Sequence, residues 1–212
     1  MLGLKIVDED LPKLLANPAA RRARESLLGQ PHIAPLTEFV RKLQAEKGPE
    51  AYIPYFDPWD GGVEAEVLFL LEAAGPKTRI SGFISRNNPD ETAKNFFNLS
   101  ISAGIERKGT VSWNIVPWYI GDGIKIRPAN TSDIASGMES LAELLSLLPK
   151  LRAIVLVGQK AQTADKYLTD IAPHIRIFFS PHPSPMFINR MPGNRKILFD
   201  SWRAVKEFLD RA

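Results

Sequence analysis

The chain has 212 residues, with 27 lysines and arginines against 24 aspartates and glutamates and a formal net charge of +3. That length supports one sizeable domain with a real core, and the mild positive balance permits an anionic partner without demanding one. The absence of cysteine excludes disulfides, thiolate zinc sites and cysteine-held iron–sulfur clusters. No apolar run approaches the ~20 residues of a membrane span, so the expectation is a metal-free, cytoplasmic, monomeric protein.

Taken in chain order, residues 9–47 are mixed-charge, with apolar positions at helical spacing in "ARRARESLL" and "PLTEFVRKLQAEKG". They read as a helical N-terminal extension, over residues 1–50, packed on the one domain. "YIPYFDPWDGG" is a turn-rich connector. "AEVLFLLEAAG" is a continuous apolar run ending in small residues, the pattern of a buried parallel strand. "NPDETAKNFFNLSISAGI" predicts a helix capped by Asn88 or Asp90 and stopped by Gly104. "VSWNIVPWYIG" is a second strand and "TSDIASGMESLAELLSLLPKL" a helix. "RAIVLVGQ" is a third strand, "KAQTADKYLTDIA" a helix, "IRIFFSPHPSP" a fourth strand, and "RKILFDSWRAVKEFLDRA" a closing amphipathic helix. Strands separated by single helices imply a three-layer α/β/α fold around a mostly parallel four-stranded sheet.

Ligands of such a sheet bind beyond the carboxyl ends of its strands. Those ends carry Glu72 in "LEAAGP", Asn114 in "NIVPW", Gly158 in "VGQKA" and His182 in "SPHPSP". A carboxylate, an amide and an imidazole therefore converge on one cleft. Glu72 could equally cap a helix or pair with Lys77, Asn114 could satisfy strand-end backbone groups, and "VGQKA" reads mostly as a tight turn. No GxxxxGK[ST] or GxGxxG pattern occurs, which argues against nucleotide hydrolysis or dinucleotide binding. His182 is one of three histidines and stands between prolines, whose fixed dihedrals make a stiff platform.

The order "LEAAGP", "GFISRNN", "NIVPW", "HPSP" resembles the uracil-DNA glycosylase superfamily over roughly residues 65–210. The resemblance implies that His182 donates to O2 of a departing uracil and that Asn114 reads the base's Watson–Crick edge. It implies that Phe83 stacks on the extruded base, and that Met186, with Phe187 beside it, is the apolar wedge that fills the vacated gap. Ser184, Arg190, Asn194 and Arg195 take the place of the DNA contacts. The partner implied is DNA containing deaminated bases, and no cofactor is implied. Strict uracil members carry Gln-Asp-Pro-Tyr in the first motif; aligned on it, Ala73 stands at the aspartate and Gly75 at the tyrosine that blocks larger bases. Other branches take the carboxylate or amide from the segment after the stacking phenylalanine, here "SRNNPDE" with Asn87, Asn88 and Asp90. Glu72 is the first candidate for the catalytic carboxylate and Asp90 the second. The expected activity is release of uracil, and of hypoxanthine or xanthine if the site left open by Gly75 admits them. A non-catalytic lesion binder of the same fold and a small-molecule nucleoside enzyme are the alternatives.

Overall fold

The computed structural model describes residues 9–122 and 125–211. After a short turn at Leu14–Ala16, helix α1 (Pro18–Glu25) starts where the Asn17 side chain accepts from the Ala19 N–H and Pro18 supplies a pre-set first helical position. Helix α2 (Ala34–Lys47) buries Leu36, Phe39, Val40 and Leu43. The connector that follows holds strand β1 (Tyr55–Phe56), which pairs in parallel with β3 (Phe83–Ile84). This two-residue pairing was not expected from the sequence.

The main sheet has the order β4-β2-β5-β6 and is parallel throughout. Its strands are β2 (Val67–Ala73), β4 (Thr110–Val116), β5 (Ala153–Val157) and β6 (Arg176–Ser180). All four fall on the four predicted apolar runs. Successive side chains of β2 point to opposite faces. Leu68 and Leu70 join a core with α2 residues Leu36 and Phe39, whereas Val67 and Phe69 join a second core with Phe96 and Trp202. The sheet is therefore covered on both sides, which is why its strands read as continuous rather than alternating apolar runs.

Helix α3 (Thr78–Ser81) is a single turn after β2. Helix α4 (Glu91–Ala103) opens with the Asp90 carboxylate accepting from the Ala93 N–H and closes at Gly104, whose φ of 75° lies in the left-handed region that glycine adopts without strain. Where one long helix was expected after β4, there are two: α5 (Thr131–Met138) and α6 (Leu141–Ser146). The break follows Gly137, whose Cα lies so close to the Ile115 carbonyl that a Cβ there would sit 1.9 Å from its oxygen. The helix after β5 is likewise divided into α7 (Gln159–Gln162) and α8 (Asp165–Ile171). Helices α9 (Pro185–Arg190) and α10 (Asn194–Leu209) end the chain; α10 buries Leu198, Trp202 and Val205.

Behind the loop between β3 and α4 lies a buried charge cluster. Arg24 and Arg107 both pair with Asp57, the latter at 2.7 Å; Arg107 also reaches Asp60 at 2.8 Å and Asp10 at 2.6 Å. Asp57 is 1 % exposed and Ser85 donates a further hydrogen bond to it. Burial alone would push the Asp57 carboxyl up, but Arg107 and Arg24 hold it down at about 2. Its contribution to stability is thus present above the ordinary carboxylate pKa and is lost only as pH falls toward 2. Asp60 moves the other way: burial and the neighbouring Asp57 charge raise it against the pull of Arg107. Arg24 also lies 3.4 Å above the Trp59 ring. Asp57→Ala leaves two buried guanidinium groups without their shared partner, and urea unfolding should show a loss of about 3–5 kcal/mol. A loss below about 1 kcal/mol would contradict this account of the cluster.

Candidate active site

A cleft of about 700 Å³ opens beyond the carboxyl ends of the strands, a size ordinary for a small-molecule or nucleotide site. Each strand end contributes as the topology requires. β2 runs out into Glu72, Ala73, Ala74 and Gly75; β4 presents Ser112 and Asn114, two residues apart and so on one face; β6 leads into His182 and Ser184. The β3–α4 loop adds Ser85, Arg86, Asn88 and Asp90. Glu72, Asp90, Asn88, Asn114, Gly75, His182, Ser184 and Met186 are thus brought together as the sequence implied.

His182 is held by its surroundings rather than by hydrogen bonds of its own; none is made by its ring among the described residues. The Pro183 carbonyl accepts from Asn95 on α4 at 2.9 Å, and the Ser180 carbonyl accepts from Gly158 N–H at 2.8 Å. Gly158 has φ 84°, and its ideal Cβ would lie 3.3 Å from the His182 Cβ. The "VGQKA" turn therefore makes room for the imidazole beside it. Burial lowers the His182 pKa below the ordinary imidazole value, and the Glu72 and Asp90 charges only partly oppose it. Burial thus favours the neutral ring, which has one N–H to give and one nitrogen to accept.

The two carboxylates differ in their attachments. Glu72 Oε1 accepts from the Ala129 N–H at 2.8 Å, which ties the segment carrying Ile126, Arg127 and Pro128 over the cleft. Asp90 holds the first turn of α4 through one oxygen. Asn88, 4 % exposed, gives its Nδ2 to the Phe83 carbonyl at 3.0 Å and leaves Oδ1 without a hydrogen-bond partner. A buried amide oxygen left unpaired in a cleft wall is a costly arrangement that a ligand or water donor would relieve. The Asn114 amide makes no hydrogen bond among the described residues either, so it is available to a ligand. Nothing lies within 4 Å of the ideal Cβ at Gly75. That wall is open.

Three sequence expectations are corrected in placement. Phe83 is fully buried and does not line the cleft; its pairing with β1 turns the ring inward, and the neighbouring Ile84 and the α4 residue Phe96 form the apolar wall instead. Asn194 is 6 % exposed, and its amide donates to the Phe187 carbonyl at 2.6 Å, so it joins α9 to α10 rather than facing a partner. Asn87 is fully buried behind the cleft. Ser184 lines the cleft but also caps α9, accepting from Phe187 N–H at 3.2 Å. Met186 stands 81 % exposed at the cleft mouth, Phe187 is half-buried beside it without lining the cleft, and Arg190 and Arg195 are exposed.

Sequence reasoning missed Arg86. It lines the cleft and gives Nη2 to Thr110 Oγ1 at 2.6 Å, while its Nε lies 4.0 Å from Asp60 and has no hydrogen-bond partner. Burial lowers its pKa, although the Asp60 charge works against that. A buried arginine two residues before Asn88 in "SRNNPDE" was the available signal. Lys77 also reaches the cleft wall, from the exposed start of α3. Among the described residues there is no cluster of three or more metal-ligating side chains and no helix long and apolar enough to cross a membrane.

A family model described as the uracil DNA glycosylase superfamily matches residues 53–206. The chain belongs to that superfamily. Its structure is similar to the crystal structure of wild-type SMUG2 from Pedobacter heparinus, with a TM-score of 0.55, 12 % identity, and coverage of 84 % of this chain and 85 % of that one. A more distant likeness, with a TM-score of 0.41, 16 % identity and coverage of 88 % and 77 %, is to a mimivirus UNG variant in complex with UGI. No curated protein sequence matches.

The placement of Asn194 and Arg195 has a direct consequence. Asn194→Ala strands the Phe187 carbonyl and should lower stability by about 1–3 kcal/mol, whereas Arg195→Ala should stay within about 0.5 kcal/mol of the parent. Denaturant unfolding of the two variants separates them; equal stabilities would show that the Asn194 bond contributes nothing.

Proposed function

We propose that the protein is a monofunctional DNA glycosylase that hydrolyses the N-glycosidic bond of deoxyuridine in DNA, releasing uracil and leaving an abasic site. The observation that carries this reading is the convergence of His182, the unpaired Asn88 Oδ1, the Asn114 amide and the Asp90 carboxylate on one cleft whose mouth carries the exposed Met186. As the C1′–N1 bond breaks, its electron pair leaves with the base and charge builds on O2. The His182 N–H is suited to that oxygen and favours the transition state over the ground state. The sugar is left as a cation, which a carboxylate stabilises by charge alone. Each carboxylate holds one backbone N–H through one oxygen; Asp90 takes precedence over Glu72 here because it shares the short β3–α4 loop with Asn88. The unpaired Asn88 Oδ1 is suited to orienting the water, which adds to C1′ and gives its proton to the Asp90 carboxylate, from which it passes to the departed uracil anion. Water plus nucleotide then yields free base plus abasic sugar. Asn114 offers an acceptor for N3–H together with a donor for O4, a pattern cytosine lacks.

The exposed apolar tip of Met186 suits a wedge in an opened base stack, and Arg190 and Arg195 suit phosphate contacts that position a duplex without reading it. Two alternatives have their own tests. A small-molecule nucleoside enzyme would show none of the steep loss of binding with salt that phosphate contacts impose. Lys77 lies outside the four motifs but reaches the cleft, and its amine is suited to forming a Schiff base with the abasic sugar. Borohydride should trap no covalent DNA complex if the enzyme is monofunctional; a trapped complex lost in Lys77→Ala would replace that part of the reading.

A uracil-containing oligonucleotide should be cut only after alkali. His182→Ala should slow single-turnover release by about 10²–10³-fold, the effect of losing one transition-state donor. Because the native His182 pKa is depressed, the neutral ring predominates above its ordinary value of about 6.5, and the rate should be level through neutral pH. A rate that climbs on acidification through that region would make the imidazolium the donor instead.

Breadth of substrate follows from the open wall at Gly75. With no bulk there, apolar contacts discriminate by only ~1–3 kcal/mol, and a carbonyl beside an N–H is shared by uracil, hypoxanthine and xanthine. Single-turnover rates on matched uracil and hypoxanthine oligonucleotides should show both bases released, and Gly75→Tyr, whose Cβ would meet nothing within 4 Å, should remove the purine activity first. A parent that releases uracil alone defeats this part of the proposal.

A further inference from the structure

The family match begins at residue 53, yet residues before it touch the cleft's most densely furnished loop from behind. Asn87 stands between Arg86 and Asn88, both of which line the cleft, and it points the opposite way. Its amide is bonded on every side. Nδ2 donates to Asp10 Oδ1 at 2.8 Å and to the Leu11 carbonyl at 2.7 Å, while Oδ1 accepts from Arg107 at 2.7 Å and from Arg24 at 3.3 Å. The Asn87 carbonyl accepts from the Leu15 N–H at 3.1 Å. At the other end of the loop, Lys13 pairs with Glu91, the first residue of α4.

The ion pairs point the same way. Within the later chain Arg86 and Arg107 face Asp57 and Asp60, and the N-terminal segment joins this cluster at two points, Arg24 through Asp57 and Asp10 through Arg107. A loop that must present Asn88 Oδ1 and the Asp90 carboxylate in fixed positions has no regular ladder of its own, and its position is set by these side-chain bonds. We propose that the segment from Asp10 to Arg24 is a clamp on the Ser85–Asp90 loop, and that Asn87 is the positioning residue through which it holds Asn88 and Asp90 in the cleft.

This inference rests on the proposed reaction for its kinetic readout and is separable from it. Asp10 is exposed, so its replacement tests the clamp without excavating the core. Asp10→Ala, which removes the acceptor for Asn87 and Arg107, should lower the single-turnover rate on uracil DNA by about 10–10²-fold, the scale of a small misplacement of reacting groups. Binding of the same DNA should change less than threefold. Asp10→Asn keeps an acceptor and should recover most of the lost rate. Lys150→Ala, which breaks the remote surface pair with Glu64, should leave the rate at the parent level. Backbone hydrogen exchange supplies a measurement independent of any substrate: amides 85–91 should exchange faster in Asp10→Ala while those of β2 and β5 keep their protection. If the parent releases no base, the reaction proposed above falls, and the clamp stands or falls on exchange alone. Unchanged exchange at 85–91, a loss seen only in binding, or equal losses in Asp10→Ala and Asp10→Asn would each overturn the clamp.

Discussion

The site depends on the pairing of Asp57 with Arg24 and Arg107. A carboxylate with almost no exposure is affordable only when its charge is matched and its lone pairs are filled, and here two guanidinium groups, the Ser85 hydroxyl and the Trp59 N–H do both. The consequence is directional. Each of these partners comes from a different part of the chain, so forming the pair draws the N-terminal helix, the connector, the β3–α4 loop and the turn before β4 onto one point. The loop cannot shift without leaving a buried charge unpaired, and a cleft built partly from a loop gains the rigidity of the core behind it.

The sequence was informative wherever burial on both faces wrote itself into composition. The runs "VLFLLEA" and "AIVLV" are central strands packed on both faces, whereas "TVSWNIV" admits the buried Thr110, Ser112 and Asn114 and "RIFFS" forms an edge strand with Phe179 exposed; once the four are strands their carboxyl ends must share one edge. Asp90 and Gly104 were legible as the ends of α4 because a cap and a left-handed terminus each demand few residue types. The break after α5 was not, since the close approach of Gly137 to the Ile115 carbonyl is a tertiary contact with no local trace.

Side-chain direction in loops was the harder part. Phe83 and Asn194 have the residue types their proposed roles need, yet both point inward: Phe83 beside the two-residue pairing with β1, Asn194 toward the Phe187 carbonyl seven residues earlier on α9. Arg86 and Asn87 are adjacent and face opposite ways, one to the cleft and one to the charge cluster. No periodicity governs such a loop, so its facing is decided by which partners the rest of the chain brings near. Those partners lie 20 to 77 residues away.

The strand order also sets when the site can exist. Central β2 has β4 on one side and β5 on the other, and His182 stands just past β6, the strand that closes the row. The ladders join segments far apart in the chain, so loop-closure entropy opposes every one of them until the helices between have condensed. On a ribosome, Glu72, Asn88 and Asn114 emerge well before the imidazole that completes their cleft. Asp10 must likewise wait for Arg107, 97 residues behind it. A nascent chain stopped before residue 176 holds the amides and carboxylates, lacks the edge strand and its histidine, and exposes the β5 edge to any other strand it meets. For this topology, completing the cleft and pairing β5 with its outer neighbour are the same late event.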